Sequence, residues 1–532
     1  MIIQTLLKNT SAIRALAVAG AIALPNLAIA DEVTLKSSDG TVNIVGDFIG
    51  FEENSYLIRT GLGELRISAE RVRCEGDACP VFETATADVV IAGSDTVGLG
   101  IMPLLLEGYA AFTDSEATVT ATSVEGEIIA EMIGDQGFGE SMGSYLVSST
   151  ASGDAFRALL NKEGEIGMAS RRIKRDEARA LRAEGAGNMV SPSQEHIIAV
   201  DSLVVIVHPN NPVQQLSMEQ VAGIFAGRIT NWNELGGDDA EIVLFDRQQD
   251  SGTHSVFHNA VYGSNTTNAG NSTVMTDNSK MAAAVNADEH AIGYVSYAFQ
   301  RGAKPLPLVN ECGITMTPDA FSARTEEYAL QRRLYLYNRD DNLSDASASL
   351  IEYAKSTDAD EVIQKAGFIS LGIDQVPQTL DSSRARALIS ADVDAFEGGV
   401  MREMLSSMVD FDRLSSTFRF RTGSSRLDER ALLDMQRLAT YIEGLPEGSK
   451  VKFVGFTDSV GAFGSNRELS EKRAEKVMDE LTGFAGSRLT NVEFSSAGFG
   501  EIAPSACNTA EKGRQINRRV EVWVNVPEGS NT

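Results

Sequence analysis

Apolar and polar residues alternate in short runs near the start of the chain, from Val33 to about Val72. Turn-forming groups such as Asp39-Gly40 and Gly61-Leu62-Gly63 separate the runs. Alternation bounded by such turns is typical of antiparallel strands. The pattern predicts a small β-module over residues 31–86. Because this segment carries no chemical motif, we expect it to be a structural cap.

Between about residues 87 and 375 the pattern changes to strand-like apolar runs that lead into amphipathic helical runs. VVIAG precedes MPLLLEGYAAF, SLVVIVHP precedes LSMEQVAGIFAG, and EIVLFD precedes a Ser-Gly-Thr turn and a further helix. Strands that alternate with helices are typical of α/β folds with parallel sheets. We therefore predict an α/β domain over residues 87–375.

The alternation returns over residues 413–527, a typical domain length. There the strand-like runs KVKFVGFTD, NVEFSSAGFG and NRRVEVWV accompany the helical run NRELSEKRAEKVMDELTGF. Residues 376–412 join the two blocks, and we predict a helical linker there. At helical spacing the linker carries a stripe that is expected to pack as core, namely Met401, Met404, Leu405 and Met408.

The first thirty residues have the pattern of an export signal. Lys8 and Arg14 precede an apolar run over residues 15–24, and Ala28-Ile29-Ala30 forms an A-x-A cleavage site. We predict that residues 1–30 are a secretory signal peptide, removed on export to the periplasm. No later stretch approaches eighteen consecutive apolar residues, so the sequence predicts no transmembrane segment.

Composition narrows the functional classes. The chain of 532 residues is too long for one core, and its shares of hydrophobic (43%) and charged (23%) residues are ordinary for folded domains. The formal net charge of -28 is spread along the chain. This charge argues against binding to nucleic acid or to anionic lipid.

The four cysteines fit an oxidising compartment. Cys74 and Cys79 flank a short loop that a disulfide can close, and we predict this bond. No histidine lies at ligand spacing from the pair, so we expect no metal there. Cys312 and Cys507 fall in different predicted domains. Their pairing with each other, their burial as thiols and their pairing with other molecules all stay open.

Three segments of the α/β domain place small and hydroxyl residues after a predicted strand and at the start of a predicted helix. They are Gly-Ser-Asp-Thr-Val at 93–97, Ser-Gly-Asp at 152–154 and Asp-Ser-Gly-Thr at 250–253. Helix N-termini carry unpaired N–H groups and partial positive charge. Three such termini could enclose a tetrahedral oxyanion, with Arg247 adding a charged bidentate contact.

Ordered segments of this domain, including AGSDTVGLGIMPLLLEGYAAF, SGDAFRALLNKEGEIGMASRRI and RQQDSGTHSVF, resemble the PstS-like phosphate-binding proteins of ABC importers. The resemblance implies a type II periplasmic-binding-protein fold, whose two lobes close on the anion, and an importer permease as a partner. It assigns phosphate contact to Thr96, Val97, Ser152, Gly153, Ser170, Arg247, Ser251, Gly252 and Thr253. Family members often use carboxylates to accept the proton of hydrogen phosphate. Because this chain has Arg171 and Gln249 instead, the choice between phosphate and sulfate stays open.

The segments GFTDSVG at 455–461, NRELSEKRA at 466–474 and NRRV at 517–520 resemble the OmpA-like peptidoglycan-binding domain, an α+β fold of order βαβαββ. Diaminopimelate of the peptidoglycan stem offers an ammonium and a carboxylate, which an aspartate and an arginine complement. The resemblance implies that Asp458 binds the ammonium and Arg473 the carboxylate. It also implies a pocket lined by Thr457, Asn466 and Arg518. Members usually have histidine where this chain has Phe456.

Two motifs suggest enzymes but lack their context. Gly139-Glu140-Ser141-Met142-Gly143 matches G-x-S-x-G without a clear strand before it and helix after it. His254 and His258 lie one helical turn apart without the glutamate of H-E-x-x-H. We therefore predict a non-enzymatic, cofactor-free phosphate receptor in the periplasm, bound to peptidoglycan and associated with the outer membrane. The alternative is a structural envelope protein that binds peptidoglycan and has a degenerate or non-phosphate pocket.

Overall fold

The structure is a computed structural model that describes residues 32–36, 43–52, 55–61, 63–68, 72–76, 78–79, 87–263, 271–390, 394–420 and 431–527. The predicted signal peptide lies outside these residues. The chain divides into two compact units, Met1–Thr84 and Ala85–Thr532. Among the described residues, no helix is both long and apolar enough to cross a membrane.

The first unit contains one antiparallel sheet with the strand order β4-β3-β2-β1-β5. Its strands are β1 Glu32–Lys36, β2 Asn43–Glu52, β3 Ser55–Thr60, β4 Gly63–Ser68 and β5 Arg73–Glu75. Alternate residues such as Val33, Leu35 and Ile58 are buried, because side chains alternate between the faces of a strand. Cys74 and Cys79 form a disulfide with their Cα atoms 5.7 Å apart.

The second unit begins with alternating strands and helices. Its strands up to residue 376 are β6 Val89–Ser94, β7 Ser115–Ala121, β8 Glu127–Ile133, β9 Ser141–Thr150, β10 Ile166–Ala169, β11 Glu195–Val207, β12 Leu216–Ser217, β13 Val243–Arg247, β14 Thr273–Met275, β15 Ala291–Ser296, β16 Lys304–Pro305, β17 Leu308–Val309, β18 Thr315–Met316, β19 Gln331–Asn338 and β20 Gln375–Val376. Its helices up to the same point are α1 Asp95–Gly98, α2 Met102–Phe112, α3 Gly134–Gly137, α4 Ser152–Asn161, α5 Arg175–Ala183, α6 Met218–Phe225, α7 Gly252–Tyr262, α8 Asn278–Ala287, α9 Ala320–Arg324, α10 Asp345–Lys355 and α11 Asp360–Lys365. Short 3-10 turns lie at Trp232–Leu235, Tyr297–Phe299 and Thr357–Ala359.

Two adjacent strands, β11 and β19, connect two lobes of this region. The first part of β11 pairs with β19, and from Leu203 onwards β11 pairs with β15. One continuous sheet results, in the order β14-β13-β15-β11-β19-β10-β6-β9-β8-β7 with β16 beside β11, and β12, β17 and β18 form a small separate sheet. We define lobe 1 as residues 87–200 and 333–374, and lobe 2 as residues 203–330. Because the chain passes between the lobes along two neighbouring strands, bending can occur there as a hinge motion.

The rest of the second unit, here called the C-terminal domain, forms a five-stranded sheet in the order β20-β21-β24-β22-β23. Its further strands are β21 Asp412–Arg419, β22 Ser449–Gly455, β23 Val492–Gly498 and β24 Arg519–Asn525. Its helices are α12 Ser383–Ser390, α13 Ala395–Asp410, α14 Ala431–Glu443, α15 Phe463–Ala485 and α16 Glu511–Asn517, with a 3-10 turn at Gly486–Leu489. A Cβ atom at Gly455 would lie 1.9 Å from the carbonyl oxygen of Ser470. Glycine at this position therefore allows α15 to lie directly on the sheet.

The helices of the predicted linker are packed rather than free. Met404 and Met408 of α13 are buried in one cluster with Phe456 and Trp523 of the C-terminal domain. The methionine stripe is therefore core, because its apolar face covers one side of the domain's sheet. Residues 376–412 belong structurally to the C-terminal domain and do not act as an isolated connector.

Candidate functional site

Each of the three predicted loops follows a strand and begins a helix. Thr96 lies in α1 directly after β6, Ser152 begins α4 shortly after β9, and Ser251 caps α7 after β13. The Ser251 hydroxyl oxygen accepts hydrogen bonds from the N–H groups of Thr253 and His254. Serine is preferred at such caps because its side chain satisfies N–H groups that the helix cannot.

The three loops meet at one buried place between the lobes. The hydroxyl oxygens of Thr96 in lobe 1 and Thr253 in lobe 2 are 3.4 Å apart. The Ser152 hydroxyl oxygen lies 3.2 Å from that of Ser170 and accepts a hydrogen bond from the Ser170 N–H. The structure thus brings four of the predicted residues together in two touching pairs, and their hydroxyl groups are the donors that an oxyanion requires.

Gly252 joins the two pairs of hydroxyl groups. A Cβ atom at this position would lie 2.3 Å from the Ser170 hydroxyl oxygen and 2.4 Å from that of Ser152. The third loop therefore touches the second loop through Gly252 and the first loop through Thr253. Val97 and Gly153 can contribute only backbone groups, because the Val97 side chain is buried in the core of the lobes.

Gly252→Ala should therefore weaken anion binding by at least about tenfold, because the new methyl group must displace two serine hydroxyls that the site requires. Titration calorimetry of the full chain with phosphate measures this loss. Gly483→Ala is the control, because Gly483 lies in the helical backbone of α15 and the space around it is open. Unchanged phosphate affinity in Gly252→Ala would show that the three loops do not form the site.

Arg332 is a candidate ligand that the sequence analysis missed. Its guanidinium donates to the hydroxyl oxygens of Thr253 at 2.9 Å and Thr96 at 3.2 Å, and its Nε donates to Asp201 at 2.9 Å. Arg332 and Asp201 stand opposite each other on the two hinge strands. Burial lowers the pKa of Arg332, and Asp201 counteracts this effect. A single arginine therefore connects the hinge to both lobes at the loops.

Arg247, the predicted charged ligand, is mostly occupied by protein groups. Its Nη2 donates to Asp95 at 3.1 Å and to the carbonyl of Thr276 at 2.9 Å, while its Nε donates to the carbonyl of Met275. Its remaining nitrogen, Nη1, is buried and has no hydrogen-bond partner among the described residues. The bidentate contact expected from the sequence is thus reduced to one free nitrogen.

Asp95 is a second residue that the sequence analysis did not select. Its Oδ2 accepts hydrogen bonds from Arg247 and from the side-chain amide of Asn278, which also donates to the Thr96 hydroxyl. Its Oδ1 has no hydrogen-bond partner among the described residues. The position directly before Thr96 in the first loop was the available signal. The site therefore contains a carboxylate with a free acceptor oxygen.

Other polar residues near the loops contact groups of the protein itself. Arg171 forms an ion pair with Glu177 at 2.6 Å. Among the described residues, Asp246, His254 and His258 lie close enough to hold a metal ion. However, one oxygen of Asp246 already contacts Tyr294 at 2.5 Å and His258 at 3.2 Å. Burial, and next the neighbouring His258, lower the pKa of His254 to about 4.

A second constellation lies at one end of the C-terminal sheet. Asn466 and Arg473, both on α15, are buried, and so are Thr457, Asp458 and Arg518 in the segments beside β22 and β24. Asp458 forms an ion pair with Arg518 at 2.6 Å, and Asn466 donates to the carbonyl of Asp458 at 3.3 Å. The structure thus connects three of the five predicted residues by hydrogen bonds.

Arg473 is buried, and it forms no ion pair with the described part of the chain. Its Nε and Nη1 have no hydrogen-bond partner among the described residues, and its guanidinium lies 5.3 Å from the centre of the Phe420 ring. Burial, and next the positive charge of Arg518, lower the pKa of Arg473, while Asp458 raises it. A buried guanidinium with free donors is suited to a ligand carboxylate.

Phe456 replaces the histidine expected from the OmpA-like resemblance. It is buried in the core with Trp523, and the guanidinium groups of Arg384 and Arg519 lie 5.1 Å and 4.2 Å from its ring centre. This aromatic side chain therefore stabilises the segment that carries Thr457 and Asp458 through packing and cation–π contacts. Phe456 is not part of the polar surface of the constellation.

Two lobes that are connected by two neighbouring strands and meet at three helix-start loops define a class of hinged, two-lobed proteins. In this chain they are joined to an α+β C-terminal domain. The chain belongs to the PBP superfamily, because the profile described as PBP superfamily domain matches residues 80–370. A second profile, OmpA family, matches residues 419–518. The fold class and both family resemblances inferred from the sequence are confirmed.

Individual relatives reflect the same two parts. The chain is 28% identical over 178 residues to the phosphate-binding protein PstS of Bacillus subtilis, covering 33% of this chain and 57% of the relative. It is 37% identical over 128 residues to outer membrane porin F of Pseudomonas aeruginosa, covering 24% of this chain and 32% of the relative. An ABC-type phosphate transport receptor from Vibrio cholerae is 24% identical with a TM-score of 0.39, covering 53% of this chain and 99% of that structure.

Proposed function

We propose that this protein is a cell-envelope receptor that binds phosphate between its two lobes and is held at the cell wall by its C-terminal domain. The observation that carries the proposal is the convergence of three helix-start loops and two buried arginines at one place between the lobes. Helix N-termini, hydroxyl groups and guanidinium groups together match a tetrahedral oxyanion. The name of the PstS relative supports phosphate as the ligand.

The phosphate ligands in this proposal are Thr96, Ser152, Ser170, Arg247 and Thr253, together with Arg332. Ser251, Gly252, Gly153 and Val97 contribute through backbone N–H groups and by the shape of the loops. Buried donors without acceptors cost free energy, about 1–3 kcal/mol each. An oxyanion that accepts from them stabilises the closed arrangement of the lobes, which couples binding to hinge closure.

Asp95 makes the pocket selective for phosphate over sulfate. Its free Oδ1 can accept the proton of hydrogen phosphate, whereas sulfate carries no proton at neutral pH and would face a carboxylate oxygen. A site that hydrogen-bonds a substrate OH rejects the analogue that lacks it, because the polar group of the site is then left unpaired. The carboxylate that seemed missing from the sequence is therefore supplied by the first loop.

Asp95→Asn should weaken phosphate binding by at least about tenfold and improve sulfate binding, because an amide no longer repels an unprotonated oxyanion. Titration of the full chain with phosphate, sulfate and arsenate measures both changes. Asp114→Asn, an exposed position on lobe 1, is the control. If the wild-type chain binds none of these anions but still binds peptidoglycan, the structural alternative replaces the receptor proposal.

The C-terminal domain binds peptidoglycan in this proposal through Arg473, which takes the carboxylate of diaminopimelate. Asp458 faces the ammonium of the same ligand while Arg518 holds it in place, and Thr457 and Asn466 line the pocket. The support is the buried guanidinium of Arg473, whose free donors no described residue satisfies. The decisive test is retention on purified peptidoglycan, which Arg473→Met should abolish.

The proposed cellular location is based on the two families to which the parts of the chain belong and on the predicted signal peptide. The families to which the two parts belong consist of binding proteins, and we propose no enzymatic role and no cofactor. Export by residues 1–30 would place the mature chain in the periplasm, where the C-terminal domain reaches peptidoglycan near the outer membrane. An ABC importer permease is the partner that would receive the phosphate. Fractionation of cells producing the full chain should recover it with the cell envelope.

A further inference from the structure

The C-terminal domain is attached to lobe 2 by partly buried ion pairs. Arg413 donates to Glu327 at 2.7 Å, and Arg419 forms an ion pair with Glu326 at 3.1 Å. The hydroxyl group of Ser505 also donates to Glu327, at 2.8 Å. Both glutamates follow α9 and precede β19, so these contacts belong to lobe 2 immediately before the hinge.

Glu327 is the centre of this attachment. Burial alone would raise the pKa of Glu327, but the guanidinium groups of Arg413 and Arg519 outweigh this effect and lower the pKa to about 2. Glu327 therefore stays ionised at any physiological pH. Removing one partner from such a largely desolvated pair leaves an uncompensated charge, so the attachment is not easily broken.

A covalent bond adds to the ion pairs. Cys312 of lobe 2 and Cys507 of the C-terminal domain form a disulfide, with Cα atoms 5.8 Å apart. Beside this bond, the Thr509 hydroxyl donates to Glu311 at 2.8 Å. The sequence left the pairing of these two cysteines open, and the structure joins them across the two domains.

The same C-terminal domain also touches lobe 1. Arg437 of α14 contacts both carboxylate oxygens of Asp360 at 3.3 Å and donates to the carbonyl of Lys355 at 2.6 Å. Asp434, one turn earlier, lies 3.5 Å from Arg333 on hinge strand β19. The domain therefore lies across the hinge and contacts both lobes.

The lobes are closed in this arrangement. Besides the contact of Thr96 with Thr253, the ion pair of Asp95 with Arg247 at 3.1 Å joins lobe 1 to lobe 2. Opening the hinge rotates one lobe relative to the other. A third body fixed to both lobes must then lose its contacts with one of them. The disulfide ties it to lobe 2, and the chain ties it to lobe 1 at Asp374, whose N–H and carbonyl both bond to Ser415. The side-chain contacts that lie away from this junction, such as that of Arg437 with Asp360, are therefore those that opening must break.

We propose that the C-terminal domain is a brace across the hinge, which holds the two lobes closed and slows exchange of the bound anion, with Arg437 as its releasable contact on lobe 1. The inference rests on the proposed phosphate function for its kinetic consequence, but the geometry of the brace is independent of the ligand. The C-terminal domain thereby acts on anion exchange through a contact that is either made or broken. Arg437 is a positioning residue that does not touch the anion.

Arg437→Ala in the full chain should release phosphate at least about fivefold faster than the wild type, since the hinge opens without breaking this contact. Stopped-flow displacement of labelled phosphate measures the rate. Arg488→Ala is the matched control, because Arg488 pairs with Glu443 inside the C-terminal domain at 2.6 Å. Binding to purified peptidoglycan should be unchanged in both variants.

Hydrogen exchange provides a readout that needs no ligand. The amides of residues 94–98 and 250–254 should exchange faster in Arg437→Ala than in the wild type and in Arg488→Ala, because opening exposes these loops. The double variant Cys312→Ser, Cys507→Ser tests the attachment of the C-terminal domain to lobe 2. It should increase the rate of phosphate release and the rate of exchange of these amides. Failure of the wild type to bind phosphate would defeat the proposed function only. If these amides exchange at the wild-type rate in both Arg437→Ala and the double cysteine variant, the C-terminal domain does not act as a brace.

Discussion

Arg473→Met should abolish retention on purified peptidoglycan, lowering affinity by at least about 30-fold, without lowering the stability of the protein. The binding loss follows because the guanidinium supplies the charge that faces the diaminopimelate carboxylate. The stability should not fall because, without ligand, Arg473 is buried and two of its nitrogens have no hydrogen-bond partner among the described residues. Replacing such a group by an apolar side chain of similar volume is often neutral or stabilising.

Pull-down on purified peptidoglycan and thermal unfolding of the same samples measure the two effects. Lys472→Met is the matched control, because Lys472 precedes Arg473 on α15 but is exposed and paired with Glu468 at 2.5 Å. Asp458→Ala should also remove most retention, and the double variant should lose little more, since the two charges act on one ligand. Full retention by Arg473→Met would refute the carboxylate contact. A large loss of stability would assign Arg473 a structural role instead.

The parts of the anion site that the sequence predicts are those encoded locally. A strand, a small residue and a hydroxyl residue at the start of a helix occur within five or six positions, so Thr96, Ser152 and Thr253 can be selected without a structure. Arg332 could not, because it lies inside a strand and meets these loops only after the chain has crossed the hinge twice. The available signal was an arginine on the same face of β19 as the apolar residues Leu334 and Leu336, which are buried.

The contacts between the domains also could not be predicted from the sequence. Each domain has its own periodicity, and the sequence therefore predicts both folds. The surface between them is made of single charged residues such as Arg413, Glu327 and Arg437, which in the sequence look like ordinary solvated positions. Their pairing depends on long-range contacts that no local pattern specifies. For the same reason the sequence predicts a linker over residues 376–412, although the apolar face of its helices packs on the C-terminal sheet.

Arg332→Lys should weaken phosphate binding by about ten- to a hundredfold while the protein remains folded. Lysine keeps a positive charge beside Asp201, so the buried carboxylate is still compensated. A single ammonium on a flexible stem cannot hold Asp201 and the hydroxyl groups of Thr96 and Thr253 together, as the guanidinium does. The loops of the two lobes therefore lose their common donor. Titration calorimetry with phosphate measures the affinity, and circular dichroism verifies the fold.

Arg332→Ala should instead destabilise the protein by about 3–5 kcal/mol, because Asp201 is left buried without its counterion. Burial already raises the pKa of Asp201 more than Arg332 lowers it, so this carboxylate would take up a proton more readily in the variant. Arg339→Lys is the matched control: Arg339 is equally buried, but it pairs with Asp341 away from the loops. It should cost stability without changing phosphate affinity. Equal phosphate affinities in Arg332→Lys and the wild type would leave Arg332 as a hinge residue only, and Arg247 as the charged ligand of the site.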